Sequence, residues 1–352
     1  MTWSPGMNHG DQQKDHAFRL LQMSEGFGVA RAVQLAAELG VADLLGDAPR
    51  SADDLAEATS THPGALYRLL RALAGVGLFT EAEPGRFGLT PAGEQLRADH
   101  PESLRSWVMF QGLFNGVYAE SMHSLRTGEP TVPLVFGEPL FAHLQHHPEH
   151  GRIFNAAMGQ HSRLTGKALA AAYDFTGARQ IVDVGGGDGS FLSAVLRAHS
   201  ESSGVVFDQP YLSDAAGKQL GAAGLGERCR FVGGDFLRDV PSGGDVYLLK
   251  GVLHNWPDDQ AVVMLRNCRR AMGADGRLLL IEWVVPDGDV PHPSKFLDLA
   301  MLFVYGGRER TEKEYVALLT EAGLRINRIL GSRSTLDVLE VVPAEKKRDS
   351  AR

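Results

Sequence analysis

A glycine-rich loop and two acidic residues in the second half of the sequence have the spacing of a nucleoside-binding site. The loop DVGGGDG follows an apolar segment, and glycines such as Gly185 and Gly187 let the backbone turn tightly and bring N–H groups close to a ligand. Asp208 ends the next apolar segment, where a carboxylate can accept hydrogen bonds from both ribose hydroxyls. Asp235 ends a third, where it can accept from an adenine amino group while Phe236 covers the ring. Because ligands bind at the carboxyl edge of open α/β sheets, these residues predict a nucleoside site there.

The spacing within the loop narrows the class of ligand. The pattern D-x-G-x-G-x-G differs from the dinucleotide fingerprint G-x-G-x-x-G, whose last position here would be Ser190. It therefore favours a ligand with a compact charged end over one with a pyrophosphate. Each acid alone could serve a turn or a helix cap. Acids at three successive strand ends (the first aspartate of DVGGGDG, then Asp208 and Asp235) favour ligand binding.

Alternating apolar and helical segments from residue 179 onward predict the sheet that positions these residues. Helical patterns separate five apolar strands, which indicates a parallel sheet covered on both faces, with strands at 180–184, 205–208, 230–232, 245–250 and 277–282. A short turn joins two further segments, 326–330 and 335–342, so these pair as antiparallel neighbours at one side. The expected fold class is α/β, a Rossmann-like seven-stranded sheet with an antiparallel C-terminal hairpin, over residues 173–343.

A second, mostly α-helical domain is predicted for residues 15–101. One helix starts at Ser51, which is an N-cap followed by acids, another starts at Pro63, and a Glu-Pro-Gly turn joins two short strands. This is the outline of a winged helix, a fold that often binds DNA. Residues 51–98 carry six acids against four arginines, a net charge of −2, whereas a DNA reader should present a basic face. A scaffold or oligomerisation role is therefore favoured, and DNA binding stays an alternative.

The helical pattern over 16–45 is unusually apolar, with few charges between Ala32 and Leu45. Core packing alone could account for this pattern. A helix that is hydrophobic on more than one face can also form half of a dimer interface, and we expect a homodimer through this domain. Flexible tails are expected over 1–14 and 344–352.

Residues 102–172 form a predicted helical linker that is rich in large side chains such as Phe154 and Met158. Core packing explains most of them, but their clustering before the sheet also suits an apolar substrate pocket. Four histidines share one helical face: His143, His146, His147 and His150. Because Pro148 interrupts the stretch and only Glu149 joins them, a solvated face is favoured over a metal site, and no metal is predicted.

The composition is that of an ordinary globular protein. Its 352 residues suit two domains at ~150 residues each. The charge balance of 35 Lys and Arg against 43 Asp and Glu gives −8, which argues against non-specific binding to nucleic acid or anionic membranes. Two cysteines are too few for a disulfide framework. The N-terminus lacks the apolar core of a signal peptide, and no run of ~18 apolar residues could span a bilayer. We expect a cytoplasmic protein without membrane or nucleic-acid partners.

Several motifs together resemble those of class I S-adenosylmethionine-dependent methyltransferases: DVGGGDG, FDQP, GGDF, LKGVLHNWPDD and GGRERTEKEY. More narrowly, nearly the whole chain resembles the O-methyltransferases of plant phenolics and bacterial aromatic natural products. The resemblance implies a methyltransferase sheet and a winged-helix dimerisation domain. It also implies S-adenosyl-L-methionine as cofactor, S-adenosyl-L-homocysteine as its product, and a small aromatic acceptor from secondary metabolism, such as antibiotic biosynthesis.

The resemblance also implies roles for single residues at the cofactor. The loop glycines would line its methionine part, Asp208 would hold the ribose, and Asp235 with Phe236 would hold the adenine. Lys250 would reach the cofactor from the fourth strand, and Ser162 would touch it.

The remaining implied roles concern catalysis and the acceptor. His254 would be the general base, flanked by Glu282 and Glu309. Four residues would contact the aromatic acceptor: Phe154, Met158, Asn255 and Met301. No metal takes part in this arrangement.

The implied chemistry agrees with the residue types. A phenol has a pKa near ~10, so only roughly 0.1% is ionised at pH 7. A neutral imidazole can take its proton as the oxygen attacks the sulfonium methyl, while nearby carboxylates orient the ring and stabilise the imidazolium. Two alternatives stay open. One is a methyltransferase-like enzyme that uses the bound cofactor for hydroxylation, decarboxylation or pericyclic chemistry, and the other is a ligand-responsive DNA-binding regulator.

Overall fold

The computed structural model describes residues 9–331 and 336–344. The chain divides into two compact units, one ending at Gly112 and one beginning at Leu113. By compactness, residues 102–112 of the predicted linker belong to the N-terminal unit, and residues 113–172 belong to the second unit. The functional boundaries at 101/102 and 172/173 stay predictions. Apart from residue 344, the predicted C-terminal tail lies outside the described residues.

From His9 onward, the N-terminal unit contains seven helices and three short strands. They are α1 (His9–Ser24), α2 (Gly26–Leu39), α3 (Val41–Leu45), β1 (Arg50–Ser51), α4 (Ala52–Thr59), α5 (Pro63–Gly75), β2 (Phe79–Glu83), β3 (Arg86–Leu89), α6 (Pro91–Glu94) and α7 (Arg105–Leu113). The three strands form one antiparallel sheet in the order β1-β3-β2. The helices α4 and α5 with the β2–β3 hairpin match the predicted winged-helix outline.

Local signals explain where these helices begin and end. The Ser51 side chain accepts a hydrogen bond from the Asp54 N–H at 3.0 Å, so it caps α4 as expected. The apolar stretch 16–45 is divided among three helices, and Gly40 ends the second of them, α2, in a left-handed conformation (φ +65°). The predicted flexible tail over 1–14 overlaps α1 from His9 onward, where good helix formers such as glutamine and lysine occur, and its flexibility stays a prediction.

Much of the apolar surface of α1 and α2 is not used by the core of its own unit. That core is made by α2 to α5 and the small sheet. Five large apolar side chains on α1 and the start of α2 are between 58% and 69% exposed: Phe18, Leu20, Leu21, Met23 and Phe27. Such a contiguous apolar surface is typical of a protein–protein interface.

The second unit begins with five helices: α8 (Asn115–Ala119), α9 (Met122–Thr127), α10 (Val132–Phe136), α11 (Leu140–His146) and α12 (Pro148–Ala172). The histidine stretch is interrupted at Pro148, as predicted: α11 ends at His146, and Pro148 starts α12, because proline is favoured at the first helical position. The prediction of a solvated histidine face is wrong for His143, which is 5% exposed because its ring stacks on Phe136 at 4.3 Å between centroids.

The main sheet follows, with strands and helices in regular alternation. Its elements are β4 (Gln180–Val184), α13 (Ser190–Ala198), β5 (Ser203–Asp208), α14 (Ser213–Ala222), β6 (Cys229–Gly233), β7 (Val246–Lys250), α15 (Asp258–Ala271), β8 (Arg277–Glu282), α16 (Ser294–Ala300), α17 (Glu312–Glu321), β9 (Leu324–Leu330) and β10 (Asp337–Pro343). The strand order is β6-β5-β4-β7-β8-β10-β9. Five strands are parallel, and β10 runs antiparallel between β8 and β9. The α/β class, the seven strands and the antiparallel C-terminal hairpin are confirmed.

The order of the strands determines where a ligand can bind. The chain leaves β4 toward β5 on one side and later returns to β7 on the other, so β4 lies at the topological switch point of the sheet. Open α/β sheets bind ligands beyond the carboxyl ends of the strands at this point. The glycine loop after β4, Asp208 at the end of β5 and Lys250 at the end of β7 meet there.

Two apolar layers cover the faces of the sheet, since successive side chains of each strand point to opposite faces. One layer includes α15 and α17, and the other includes α13 and α14. The two cysteines lie in these layers, and burial raises the pKa of both the Cys229 and Cys268 thiols to about 12. No helix in the described part of the chain is long and apolar enough to cross a membrane.

Candidate active site

The glycine loop turns away from β4 in a conformation that favours glycine. Gly185 has φ +73° and Gly187 has φ +58°, a left-handed region that other residues rarely adopt. A Cβ on Gly185 would also lie 2.7 Å from a methyl carbon of Val252, so a side chain would collide. The Gly187 N–H donates to Oδ2 of Asp208 at 2.7 Å. The loop and the end of β5 are therefore joined directly.

Asp208 is positioned to accept further hydrogen bonds. Its Oδ1 accepts from the Gln209 N–H at 2.7 Å, and its Oδ2 accepts from Gly187. Burial raises the pKa of Asp208, although the two backbone hydrogen bonds counteract it. A carboxylate has about four lone-pair sites, so two remain for donors such as ribose hydroxyls.

Asp235 and Phe236 follow β6, as the sequence predicts. Asp235 accepts from the Leu237 N–H at 2.9 Å and lies 3.7 Å from the Arg238 guanidinium. Its side chain is 40% exposed. The Phe236 ring meets Trp256 edge to face at 5.6 Å. Phe236 therefore borders the aromatic group near His254.

Helix α12 lies across the glycine loop, a contact that the sequence did not reveal. A Cβ on Gly159 would lie 2.8 Å from Oδ2 of Asp188, and a Cβ on Gly166 would lie 3.0 Å from the Phe191 carbonyl. Ser162 stands between these two contacts on α12. The structure thus brings the predicted cofactor residue Ser162 alongside the loop.

A buried acid and a buried base lie below the loop. Burial raises the pKa of Asp183 to about 7, against the effect of the Lys250 charge. Burial lowers the pKa of Lys250 to about 8, while Asp183 and Glu282 act in the opposite direction. Oδ2 of Asp183 has no hydrogen-bond partner among the described residues. The loop motif contained Asp183, but its sequence alone gave no reason to assign it a role.

His161 is a second site residue that sequence reasoning did not assign. Burial lowers the pKa of its imidazole to about 4, and the charges of Lys250 and His254 lower it further. It therefore stays neutral at pH 7 and lies within electrostatic reach of both. The resemblance to the methyltransferase family implies a cofactor contact for its neighbour Ser162 but assigns no role to His161.

His254 and two glutamates form a compact buried group. Nδ1 of His254 lies 2.6 Å from Oε1 of Glu309 and 3.5 Å from Oε2 of Glu282. Both glutamates are buried, and the His254 side chain is 13% exposed. Burial alone would lower the pKa of His254, but the charges of Glu282 and Glu309 raise it to about 9. Since both acids address Nδ1, Nε2 is left for a reacting group.

The backbone holds the two glutamates in place. Oε1 of Glu282 accepts from the N–H groups of Val252 and Leu253, at 3.1 and 2.9 Å. The Glu309 N–H donates to Oδ1 of Asp298 at 2.8 Å. Burial raises the pKa of Glu282, and the negative charge of Glu309 acts in the same direction. The Glu282 carboxylate thus faces the His254 imidazole and also accepts hydrogen bonds from the turn that carries His254.

The segment after α16 is pressed against the His254 backbone. A Cβ on Gly307 would lie 2.0 Å from the His254 carbonyl oxygen, so no side chain fits there. The Arg308 N–H donates to that oxygen at 2.9 Å. The buried Arg310 donates to the Trp256 carbonyl at 3.0 Å and to Asp258 at 2.6 Å. The motifs LHNWPDD and GGRERTEKEY are therefore two halves of one backbone clamp, which no local pattern predicts.

Aromatic rings form the wall on the acceptor side. Phe141 stacks on Trp256 at 6.1 Å and lies 6.2 Å from the predicted acceptor residue Phe154. It also lies 5.9 Å from Tyr305. Phe141 is one of the clustered large side chains that suit a predicted apolar pocket in 102–172, whereas Trp256 and Tyr305, on two other elements, were not predicted to meet it.

The other predicted acceptor residues lie in varied surroundings. Met301 is buried and starts a π-helical turn, Met301–Tyr305, of a kind found often at functional sites. Met158 is half-buried on α12. Asn255 uses one amide hydrogen inside its own turn, to the Gly251 carbonyl at 3.2 Å. Contacts of these residues with an acceptor stay predictions.

The sequence matches two families that together cover most of the chain. Residues 118–325 match the O-methyltransferase domain, and residues 21–99 match the O-methyltransferase dimerisation domain. Both matches agree with the family that the motifs resemble.

Individual relatives match over nearly the full length. The chain is 43% identical to a phenazine O-methyltransferase of Lysobacter antibioticus, over 92% of this chain and 95% of that protein. It is 44% identical to the O-demethylpuromycin-O-methyltransferase of Streptomyces alboniger, over 88% and 84%. A phenazine-1-carboxylate N-methyltransferase of Pseudomonas aeruginosa is 34% identical over 89% and 93%.

A solved structure adds the cofactor. An O-methyltransferase from neocarzinostatin biosynthesis, in complex with S-adenosylmethionine and 2-hydroxy-5-methyl naphthoic acid, superposes with a TM-score of 0.78 at 37% identity. The match covers 90% of this chain and 96% of that chain.

Proposed function

The chain belongs to the O-methyltransferase family and is an S-adenosylmethionine-dependent enzyme, and on this premise we propose its acceptor and its base. The acceptor is a phenolic hydroxyl of a small aromatic secondary metabolite, and the base is His254. The observation that carries the proposal is the pairing of Nδ1 of His254 with two buried glutamates.

The residues at the switch point fit the cofactor. The unpartnered Oδ2 of Asp183, noted above for the described residues, offers a buried acceptor beneath the loop. Asp208 retains lone pairs for the ribose, and Gly187, whose Cβ position has no described atom within 4 Å, leaves room for the methionine part. Asp235 and Phe236 would hold the adenine. When bound, S-adenosylmethionine supplies an electrophilic methyl group on a sulfonium.

His254 would take the phenolic proton at Nε2. For this it must be neutral, and its pKa of about 9 keeps it largely protonated at pH 7 in the chain alone. The Lys250 charge lowers that pKa, and any further positive charge near the ring acts in the same direction. A bound sulfonium would therefore favour the neutral imidazole that the reaction needs.

The two glutamates would act through His254. Nδ1–H donates to Glu309, which fixes the ring and leaves the Nε2 lone pair for the acceptor. As Nε2 gains the proton, the charges of Glu282 and Glu309 stabilise the imidazolium. The remaining task of the protein is to align the two reactants.

The acceptor side supports an aromatic ring. Phe141, Phe154, Trp256 and Tyr305 line one wall, and rings stack on or meet such side chains edge to face. Met301 and Met158 would adapt to the outline of the acceptor, because methionine is flexible and polarizable.

We also propose a homodimer built through the N-terminal unit. The match to the dimerisation domain and the exposed apolar side chains of α1 and α2 support it. Sedimentation at micromolar concentration should give twice the mass of the chain. Leu20→Asp with Phe27→Asp should give monomers, and an unchanged mass in this variant would contradict the interface.

The main experiment incubates the enzyme with labelled S-adenosylmethionine and matched panels of phenols and aromatic amines. We expect methylated phenols, and about 10²–10⁴-fold slower transfer by His254→Gln. His123→Gln, a half-buried histidine on α9, serves as control. Full activity of His254→Gln would remove His254 as base. Transfer to amines alone would replace the proposed acceptor, and a modified product without S-adenosylhomocysteine would indicate non-methylating chemistry.

A further inference from the structure

A second cluster of histidines and a carboxylate, separate from the group around His254, lies where α10, α11 and α12 meet. Glu138 follows the turn at Gly137, His143 is on α11, and His147 separates α11 from α12. Oε1 of Glu138 lies 3.6 Å from Nδ1 of His143 and 3.9 Å from Nε2 of His147. Each residue offers one potential ligand atom, and these atoms lie within 4.8 Å of one another.

His143 is buried in a way that its own interactions do not explain. The residue is 5% exposed, and Nδ1 has no hydrogen-bond partner within the described residues. Its ring is held between Phe136, at 4.3 Å, and His147, at 4.1 Å. A buried polar atom without a partner costs free energy, so its persistence calls for a ligand.

The other nitrogen of His143 is engaged. Nε2 lies 2.9 Å from Nδ1 of His150. If Nε2 carries the hydrogen and donates it to His150, the lone pair of Nδ1 points into the cluster. Histidines that bind metals almost always donate their second N–H to a neighbouring acceptor, which fixes the tautomer in this way.

We propose that Glu138, His143 and His147 bind a divalent transition metal of the zinc type. Two imidazole nitrogens and one carboxylate oxygen are ligands that zinc commonly takes, with water completing the tetrahedron. Bonds of ~2.1 Å place tetrahedral ligands about 3.4 Å apart, so distances of 3.6 and 3.9 Å need only small side-chain adjustments.

The surroundings complete the site. The second carboxylate oxygen of Glu138 lies 2.7 Å from Nδ1 of His146, which orients the acid. The His147 side chain is 54% exposed and that of Glu138 is 23% exposed, so a metal ion can enter from solvent and keep a water ligand. The site differs from the group around His254, where Glu309 already engages the one nitrogen that faces the acids.

A bound metal would hold together the junction of α10, α11 and α12, which carries Phe141. This residue precedes His143 by two positions on α11 and belongs to the aromatic wall. The metal would thus tie the end of α10 to the start of α12 across this helix. The inference on metal binding itself does not rest on the proposed acceptor or base.

The test measures Zn²⁺ binding to the full chain without a polyhistidine tag, by calorimetry and by metal analysis after dialysis. We expect one tightly bound equivalent. Glu138→Gln and His147→Ala should each weaken binding at least tenfold, and His150→Ala about tenfold through loss of the supporting hydrogen bond. Glu149→Gln, an exposed acid at the same corner, and His123→Ala should bind as the unchanged chain does.

Several results would overturn the proposal. Binding no tighter than millimolar, or equal binding by Glu138→Gln and Glu149→Gln, would show no built site. Loss of the tight equivalent in Glu309→Gln would place the metal at the other cluster. Because His143 is buried and its replacement could unfold the chain, the exposed His147 and half-buried Glu138 carry the test. The visible spectrum of Co²⁺ adds a direct readout of nitrogen coordination in the same variants.

Discussion

Two clusters in the second unit use the same residue types for different purposes. In the buried cluster, Glu282 and Glu309 both face Nδ1 of His254 and raise its pKa to about 9. In the second cluster, formed by Glu138, His143 and His147 and called here the corner cluster, a single carboxylate faces two imidazoles. Burial lowers the pKa of His143. Two acids around one histidine suit the proposed proton acceptor, and two histidines around one acid suit the proposed metal-ligand set.

The difference comes from what supports each carboxylate. Glu282 accepts two backbone N–H groups, and the Glu309 backbone is tied to Asp298, so both acids are fixed by the chain itself. The Glu138 carboxylate is instead surrounded by side chains, with His146 at 2.7 Å, His143 at 3.6 Å and His147 at 3.9 Å. A site that must align reactants is thus built on the backbone, whereas a site that can adjust to a metal is built on side chains.

Replacing Glu309 should have the largest effect. In Glu309→Gln the hydrogen bond to Nδ1 of His254 loses its charged partner, so the ring is less well oriented and its pKa falls from about 9. We expect kcat to fall roughly 10²–10³-fold, measured with saturating cofactor and phenol. Glu312→Gln, an exposed acid on α17, is the control. A loss of activity without any shift of the pH profile would assign Glu309 a merely structural role.

The pH profile of the unchanged enzyme should show the next largest effect. Because the folded pKa of His254 is raised to about 9, the ring is mostly protonated below that pH and cannot accept a proton. With cofactor well below saturation, kcat/KM should rise about tenfold per pH unit between pH 7 and 8 and level off near pH 9. Saturating cofactor should move this limb to lower pH. A flat profile from pH 6 to 9 would contradict the raised pKa.

A smaller effect is expected where the backbone clamp is disturbed. In Gly307→Ala the new Cβ would lie 2.0 Å from the His254 carbonyl oxygen, so the clamp must open. Chemical denaturation should show a loss of ~1–3 kcal/mol in the free energy of unfolding. Gly273→Ala is the matched control, since no described atom lies within 4 Å of its Cβ position. Equal free energies of unfolding of the two variants would mean that the contact between the Gly307 and His254 backbones can open without cost.

The smallest effect is expected at the corner cluster. The His146 side chain is 67% exposed, so its contact with Glu138 is screened by water. His146→Ala should change the free energy of unfolding by ~0–1 kcal/mol in metal-free buffer. A larger loss in the free energy of unfolding would show that the side chains of the corner cluster hold it as rigidly as the backbone holds the site around His254.

Much of the fold was predictable because its signals are local. The strands of the main sheet, the helix starts at Ser51 and Pro63 and both hairpins follow from periodicity, capping and turn residues. The placement of Asp208 and Lys250 at one edge follows from the parallel topology.

The contacts between distant segments were not predictable in this way. Gly307 was counted only as part of a motif, yet it is required because its backbone touches that of His254, 53 positions earlier. His143 has the spacing of an exposed helical face, but Phe136 from the preceding helix covers it. Phe141 and Trp256 meet only once α11 and the turn after β7 are folded. Each of these depends on packing between elements, which periodicity does not contain.

The burial of both cysteines has a consequence for the chemical durability of the enzyme. Phenolic metabolites oxidise readily to quinones, which are electrophiles that attack thiolates. With a pKa of about 12 for Cys229 and Cys268, roughly one thiol in 10⁵ is ionised at pH 7, and both lie inside the apolar layers of the sheet. The chain therefore presents no reactive sulfur to oxidised forms of the compounds that it is proposed to methylate.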